Sequence, residues 1–255
     1  MPEGDEAYPY KEFGTIDELC SLIDADTGGW DTRWYRGLRT PVHTLLPKLF
    51  RDDVTKNRES YIAVEFRRRA RAQLNLNGVS SPFEWLCAMQ HYGLPTRLLD
   101  WTESLAIALY FASRSAKMFS SRPTVWVLDP FALDGLAEGG YPVIPIASSD
   151  SIRANADIAF GDNWEQSKKL VTQIPLPVGP DFLFNRLSAQ NGTFTLHGTD
   201  NRPIEQLIPS EKRSMLLKYV ARMEDLPRIL KTLDLIVPSP DAVFPDLEGI
   251  RDYII

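Results

Sequence analysis

The stretch from residue 90 to residue 112, QHYGLPTRLLDWTESLAIALYFA, constrains the fold more than any other part of the chain. Its first half concentrates polar, aromatic and turn-forming residues, whereas its second half is an almost wholly apolar sequence of helical character. Polar side chains on a turn that a buried helix anchors are typical of functional loops on rigid scaffolds. The stretch therefore predicts a polar turn that carries a site, followed by a central helix.

The other segments predict short helices and short strands in no regular order. Thr124–Leu128, TVWVL, has the composition of a buried strand. Residues 31–38 predict a second strand, in which Trp34, Arg36 and Leu38 share one face because side chains alternate along a strand. Interleaved elements of this kind predict an α+β fold with a mixed, largely antiparallel sheet flanked by helices.

Nothing in the sequence divides the chain, so residues 1–255 are predicted to form a single domain with a loose N-terminal segment at 1–14. A helix is expected to begin after Ser81, which has the spacing of a capping box with Glu84. Residues 131–180 contain many Gly, Pro and Asp residues. They are expected to be loops with short pieces of regular structure.

Composition argues against several classes of protein. The formal net charge of −6 argues mildly against broad, non-specific nucleic-acid binding, although residues 66–71, FRRRAR, are a local basic run. Cys20 and Cys87 form no CxxC pair, which indicates no disulfide framework and favours a cytoplasmic location. No apolar stretch is long enough for a membrane helix, and the acidic N-terminus does not have the pattern of a signal peptide.

The pair Arg36-Gly37 is the first candidate for a binding site. An arginine late in a strand can present its guanidinium to a diphosphate or a carboxylate, and a glycine beside it lets a ligand approach the backbone. The alternative is an arginine buried against a structural carboxylate such as Asp100. The residues alone leave these two interpretations open.

The turn after residue 90 supplies further candidates. His91, at a helix end, has the chemistry of a general base near neutral pH, and Tyr92 adds an aromatic face. Arg97 and Asp100 are three residues apart and could form an ion pair that serves the site or only pins the turn. A hydrogen-bonded, structural histidine is an equally open interpretation of His91.

A second polar segment surrounds a predicted turn and strand. It contains Arg186, Gln190 and His197, and the amide of Gln190 can position a hydroxyl or an amide of a ligand. No carboxylate stands out as a catalytic acid. The three histidines of the chain, the other two being His43 and His91, do not have metal-ligand spacing, so no metal site is expected.

These segments together resemble the FRG domain, a family named for an aromatic-Arg-Gly motif that is represented here by Tyr35–Gly37. The second family signature is similar to HYGLPTRLLDWT at His91–Thr102. A third matches at Arg186, Gln190, Gly192, Phe194 and Thr195. With FPDLEG at residues 244–249, the resemblance extends over about residues 30–250 and implies a single FRG domain.

The resemblance implies a function. FRG proteins resemble parts of bacterial and phage-related toxin or antiviral defence systems. The order of Arg36, the polar segment 96–102 and Gln190 is also similar to that of ADP-ribosyltransferases, although no residue matches their usual catalytic glutamate. The implied enzyme uses NAD as a substrate, needs no metal, modifies a protein or a nucleic acid, and has an antitoxin or regulatory protein as partner.

Roles follow for the candidate residues under this resemblance. The implied catalytic residues are Arg36, His91, Asp100 and Gln190. The implied NAD-binding residues are Arg36, Gly37, Tyr92, Thr96 and Arg97. Two alternatives stay open: a non-catalytic module that binds a nucleotide or a protein partner, and a nuclease built on His91 and His197.

Overall fold

The computed structural model of the protein describes residues 8–73, 79, 81–113, 121–138, 146, 148–161, 169–179, 185–236 and 239–244. The chain divides into two compact units, each assembled from separate segments. The first unit comprises Met1–Thr44, Thr102–Asp129 and Ile208–Ile255, and the second comprises Leu45–Trp101 and Pro130–Leu207. The single domain expected over residues 1–255 stays a prediction.

The first unit is built on strands and a few helices. Its strands are β1 (Lys11–Phe13), β2 (Trp34–Leu38), β4 (Thr124–Leu128) and β7 (Leu216–Ala221). Its helices are α1 (Ile16–Thr27), α5 (Leu105–Ser113), α10 (Leu226–Ile236) and α11 (Pro240–Val243), with a 3₁₀ turn at Ser210–Met215. Strand β1 lies inside the N-terminal segment that the sequence predicts to be loose.

The second unit is mainly helical. Its strands are β3 (Leu98–Thr102, whose last residue belongs to the first unit), β5 (Leu176–Val178) and β6 (Gly192–Leu196). Its helices are α2 (Asp53–Lys56), α3 (Glu59–Gln73), α4 (Pro82–His91), α6 (Pro130–Glu138), α7 (Asp150–Phe160), α8 (Asn185–Ala189) and α9 (Ile204–Leu207), with a 3₁₀ turn at Lys48–Arg51.

The strand order of the first unit is β1-β7-β4-β2. Strand β4 pairs antiparallel with β2 and with β7, whereas β1 runs parallel to β7. One face of these strands packs on α1, α5 and α10 through a buried apolar cluster that includes Leu19, Leu109, Val125, Tyr219 and Ile229. Helix α5 is therefore central, as its apolar sequence predicts.

In the second unit β6 lies between β3 and β5 and pairs antiparallel with β5. Helices α3, α4 and α7 share the main apolar cluster with these strands, and its largest members include Phe83, Trp85, Met89, Phe160 and Phe194. Of the pairings β1–β7, β2–β4, β4–β7 and β5–β6, only β1–β7 is parallel. The predicted α+β class with a largely antiparallel sheet is confirmed.

The expectation of loops over residues 131–180 is wrong for two segments, which form α6 and α7. Some of their turn-forming residues stand at helix ends rather than in loops, and others, such as Gly135 and Asn155, lie within the helices. Pro130 opens α6, where a proline loses no helical hydrogen bond. Ser149 caps the start of α7, and Gly161 ends it with a φ of 67°. Within the described residues, no helix is long and apolar enough to cross a membrane.

Candidate functional site

The polar turn begins where α4 ends, and its shape is set by hydrogen bonds of the backbone. The predicted capping box of Ser81 and Glu84 starts the helix. At the other end the N–H of Leu94 donates to the carbonyl of Met89 at 3.0 Å, and that of Gly93 donates to Gln90 at 2.9 Å. Gly93 has a φ of 78°. This Schellman motif reverses the chain and brings β3 back beside the end of α4.

Gln90 joins the two sides of the turn. Its side-chain Nε2 donates a hydrogen bond to Oδ1 of Asp100 at 2.5 Å. Its Oε1 accepts a hydrogen bond from the hydroxyl of Thr96, which is only 2% exposed. Because both ends of the amide are engaged, Gln90 has one orientation. Asp100 is exposed, so the turn presents a carboxylate in a fixed position to solvent.

Arg97 does not pair with Asp100, which the sequence spacing allows. Its side chain is 3% exposed, and its guanidinium binds both carboxylate oxygens of Glu59 at 2.7 and 2.6 Å. Nη1 also donates to the carbonyls of His197 and Gly198, each at 2.8 Å. Arg97 therefore joins α3, β3 and the end of β6. A contact between Arg97 and NAD stays a prediction.

His197 is completely buried against this ion pair. Neither ring nitrogen makes a hydrogen bond of good geometry within the described residues, and the ring lies 5.8 Å from that of Phe50. Burial, and then the charge of Arg97, lower the pKa of His197 to about 3, although the backbone of Arg202 and the carboxylate of Asp200 oppose the shift. Burial keeps His197 neutral and away from solvent near neutral pH, which argues against it as one of the two histidines of the nuclease interpretation.

The other candidate site residues of the second unit are more accessible to solvent than Arg97 and His197. Tyr92 is 51% exposed, and its ring makes an edge contact with the ring of His91 at a centroid distance of 5.0 Å. Phe66 supports Tyr92 from α3 at 6.2 Å. Tyr92 therefore offers an aromatic surface at the same helix end from which Gln90 reaches Asp100.

Gln190 lies in the short connection between α8 and β6. Its backbone N–H donates to Arg186 at 3.1 Å, and Asn191 after it adopts a φ of 43°, as the predicted turn requires. Gln190 is partly buried. The structure thus places its side chain before a strand that is buried along its whole length, a position suited to a ligand-orienting amide.

Arg36 and Gly37 belong to the first unit, and adjacent residues of a strand face opposite sides of the sheet. A Cβ atom on Gly37 would lie 1.7 Å from the carbonyl oxygen of Ala108 in α5. Gly37 is therefore required for the close packing of β2 on α5. Its role in binding NAD stays a prediction.

On the other face, Arg36 is one member of a row across three strands. Arg36 pairs in register with Trp126 of β4, which pairs with Lys218 of β7. The ammonium of Lys218 lies 4.8 Å from the centroid of the indole ring and donates to the carbonyl of Pro41 at 2.8 Å. Tyr8 covers Trp126 with a ring-centroid distance of 5.0 Å. We call Arg36, Trp126 and Lys218 the cationic row.

Sequence reasoning missed two members of the cationic row, although signals for both are present. Trp126 alternates with Val125 and Val127, so it faces away from the apolar cluster that contains those valines. Lys218 stands in the middle of an apolar strand, where a charged residue is unusual. Both signals become specific only when the strand order places the two residues beside Arg36.

The structure brings Gln90, Thr96 and Asp100 into one hydrogen-bonded cluster and His91 and Tyr92 into contact. Arg36 lies in the other unit, and its predicted convergence with the turn and with Gln190 stays a prediction. Among the described residues there is no group of three or more His, Cys, Asp or Glu side chains that could hold a metal ion.

Residues 31–121 match the model of the FRG domain, and the chain therefore contains an FRG domain over this range. The matched range includes Tyr35–Gly37 and His91–Thr102, and it ends before Gln190. No curated protein and no solved structure matches the chain.

Proposed function

We propose that this FRG-domain protein is an ADP-ribosyltransferase-like enzyme that uses NAD as its substrate. Its acceptor is a protein or a nucleic acid, and it works as a toxin or an antiviral defence effector with an antitoxin or regulatory protein as partner. The observation that carries the proposal is the exposed carboxylate of Asp100, which the amide of Gln90 holds in one orientation. A cytoplasmic location fits such an effector and is part of the proposal.

ADP-ribosyl transfer needs a fixed negative charge close to the ribose. When the bond between C1′ and nicotinamide breaks, the nitrogen of the leaving nicotinamide takes the electron pair and C1′ gains positive charge. The acceptor then forms a bond to C1′ and releases a proton. A preorganised carboxylate stabilises the positive charge without having to reorient during the reaction. Asp100 meets this requirement through Gln90, which Thr96 fixes in turn.

The cationic row supports the binding of the diphosphate of NAD. Arg36 is its partly buried member, and its guanidinium fork matches two phosphate oxygens at once. Lys218 lies two strands away, at about 10 Å between backbones, and adds a second positive charge on the same face. In this proposal Arg36 makes the diphosphate contact and Lys218 has a longer-range electrostatic role.

The remaining residues have orienting roles in this proposal. Tyr92 stacks on the nicotinamide ring with its exposed face. His91 and Gln190 orient the ribose hydroxyls or the acceptor, because an imidazole and an amide can each donate and accept hydrogen bonds. Gln90 acts through Asp100 and is a positioning residue rather than a catalytic one.

The experiment combines turnover with binding. The purified protein is incubated with NAD labelled in the adenylate and with pools of protein and nucleic-acid acceptors, while nicotinamide release and label transfer are measured. Asp100→Asn should lower turnover about a hundredfold and leave NAD affinity nearly unchanged, as loss of one preorganised group does. Asp24→Asn, at an exposed position of α1, is the matched control and should keep full activity. Arg36→Ala should weaken NAD binding itself.

Two results would contradict the proposal. If the wild-type protein releases no nicotinamide with any acceptor pool, it is not an NAD-consuming enzyme. If Asp100→Asn retains full turnover, the carboxylate is not part of the reaction.

The second candidate is a non-catalytic module that binds a nucleotide or a protein partner. The observation in its favour is that the Gln90–Asp100 hydrogen bond also stabilises the turn, as a purely structural contact would. This candidate predicts NAD binding that depends on Arg36 without any nicotinamide release. Binding measured by calorimetry beside the turnover assay distinguishes the two.

A further inference from the structure

The outward face of α3 is unusually basic for a chain with a net charge of −6. At 100° per residue, Arg58, just before the helix, and Arg68 and Arg69 within it fall on the side opposite the buried Ala63 and Ala70. Arg71 lies at the edge of that side, and its guanidinium is 5.8 Å from the ring centroid of Trp85. All four arginines are exposed. We call this surface, together with Tyr61, the α3 basic face.

The carboxylates of α3 do not neutralise this face. Glu59 turns inward and binds Arg97, so its charge is used inside the unit. Glu65 remains on the outside and is shared by Arg68 and Arg69 at 3.0 and 2.9 Å, which lowers the pKa of Glu65 to about 2. Four exposed guanidinium groups thus face one partly exposed carboxylate.

An exposed aromatic ring lies within the basic face. Tyr61 is 58% exposed, and the guanidinium of Arg58 lies 5.0 Å from the centroid of its ring. Arg67, by contrast, packs over the buried ring of Phe160 at 4.7 Å and is not part of the face. An exposed tyrosine beside an arginine is a planar platform of the kind on which unpaired bases stack.

We propose that the α3 basic face binds single-stranded nucleic acid. Guanidinium groups bind phosphate oxygens bidentately, and Tyr61 supplies the stacking surface that an acidic protein partner would not need. From Arg58 to Arg71 the face extends about 20 Å along the helix axis, which corresponds to roughly six phosphates of a stacked strand. This binding goes beyond the proposed enzymatic function and requires neither NAD nor turnover.

Fluorescence anisotropy with a labelled single-stranded oligothymidylate and a matched oligouridylate of about 12 nucleotides, without NAD, tests the proposal. With about four phosphate contacts, the logarithm of the association constant should fall with the logarithm of salt concentration with a slope near −3. The triple variant Arg58→Gln/Arg68→Gln/Arg69→Gln should lose affinity roughly a hundredfold at low salt and reduce the slope to about −1. Tyr61→Ala should lose about tenfold and keep the slope.

The control has the same change in net charge on another surface. Lys212, Arg228 and Lys231 are exposed residues of the first unit, and their replacement by Gln should leave the affinity within about threefold of wild type. Circular dichroism and a melting curve for both triple variants establish that they are folded. The exposed ion pairs with Glu65 contribute little stability, so a folded variant is expected.

Three outcomes overturn the proposal. The first is an equal loss of affinity in both triple variants, which would show a response to net charge alone. The second is binding of polyglutamate to the α3 basic face as tightly as the oligonucleotides, which would assign the surface to an acidic protein. The third is duplex binding that exceeds single-strand binding and does not depend on Tyr61.

Discussion

Arg97 and Arg36 are both held against strands, and the two regions around them differ in what the arginine contacts. Arg97 is fully engaged by Glu59 and by two carbonyls of its own unit. Arg36 lies in the cationic row, beside Trp126 and within two strands of Lys218. The contacts of Arg97 lie within its own unit and stabilise it. A guanidinium in a row with a second cation is suited to an anionic ligand.

The largest effect should come from breaking the contact of Arg97. Arg97→Ala leaves the carboxylate of Glu59 without this cationic partner and two carbonyls without their donor, so we expect a loss of about 3–5 kcal/mol in the free energy of unfolding. Urea denaturation followed by circular dichroism measures it. Arg36→Ala is the comparison, and it should cost less than about 2 kcal/mol.

If the two arginine variants lose similar stability, Arg36 is a second structural arginine. The double variant Arg97→Met/Glu59→Leu measures how much of the loss comes from the unpaired charge. Removing both charges together should restore most of the stability lost by Arg97→Ala, since neither partner is left buried alone.

The next largest effect is a pH dependence of the free energy of unfolding, which we expect from His197 beside Arg97. His197 has a pKa of about 3 in the folded protein, below its ordinary value of 6.5. Below pH 6.5 the unfolded chain therefore binds a proton that the folded protein excludes. The stabilisation is complete above pH 6.5 and is lost towards pH 3, by about 1.4 kcal/mol per pH unit.

Urea denaturation at pH 7 and at pH 4.5 should show a loss of roughly 3 kcal/mol from this residue. His197→Leu should remove that part of the pH dependence, because neither ring nitrogen has a hydrogen bond of good geometry to lose. His43→Gln, at an exposed position, should retain it. An unchanged pH dependence in His197→Leu would show that other groups cause the acid sensitivity.

Substitution of Gly37, which is next to Arg36 in β2, tests how closely β2 packs on α5. Gly37→Ala places a methyl group against the backbone of Ala108, which cannot move independently of α5, and should cost about 2 kcal/mol or more. Gly29→Ala is the matched control, since a Cβ there meets no atom within 4 Å, and it should be neutral or slightly stabilising. Thermal unfolding measures both. A neutral Gly37→Ala would mean that β2 and α5 can separate without cost.

Much of the fold is predictable because the signals for single helices and strands lie within short stretches of sequence. The alternation of TVWVL, the capping box of Ser81 and Glu84 and the apolar run of α5 each identify an element without knowledge of its neighbours. Helices α6 and α7 are not predicted, because the many Gly, Pro and Asp residues of 131–180 favour loops, although Gly161 stands at a helix end.

The candidate site is predictable in part for the same reason. The turn after residue 90 is visible in its composition, and Gln90 and Asp100 lie close in sequence. The partner of Arg97 is not visible, because Glu59 is 38 residues away and looks like an ordinary helix residue. Lys218 is further still from Arg36 in sequence, and only the order of the strands places it in the same row, on the far side of Trp126.

The smallest expected effect distinguishes a residue that positions Asp100 from a residue that only stabilises the fold. Thr96→Val removes the hydroxyl that donates to the amide of Gln90 and accepts from the N–H of Leu98 at 3.3 Å, and loss of these bonds should cost about 1–2 kcal/mol. Thr195→Val removes the bond donated by Trp101 Nε1 at 3.1 Å and should cost about 1 kcal/mol. Only Thr96→Val should lower the turnover of NAD, because only Thr96 acts on Asp100 through Gln90. Stability from urea denaturation and nicotinamide release are measured on both variants. Equal turnover at equal stability would make the cluster around Asp100 as structural as the one around Arg97.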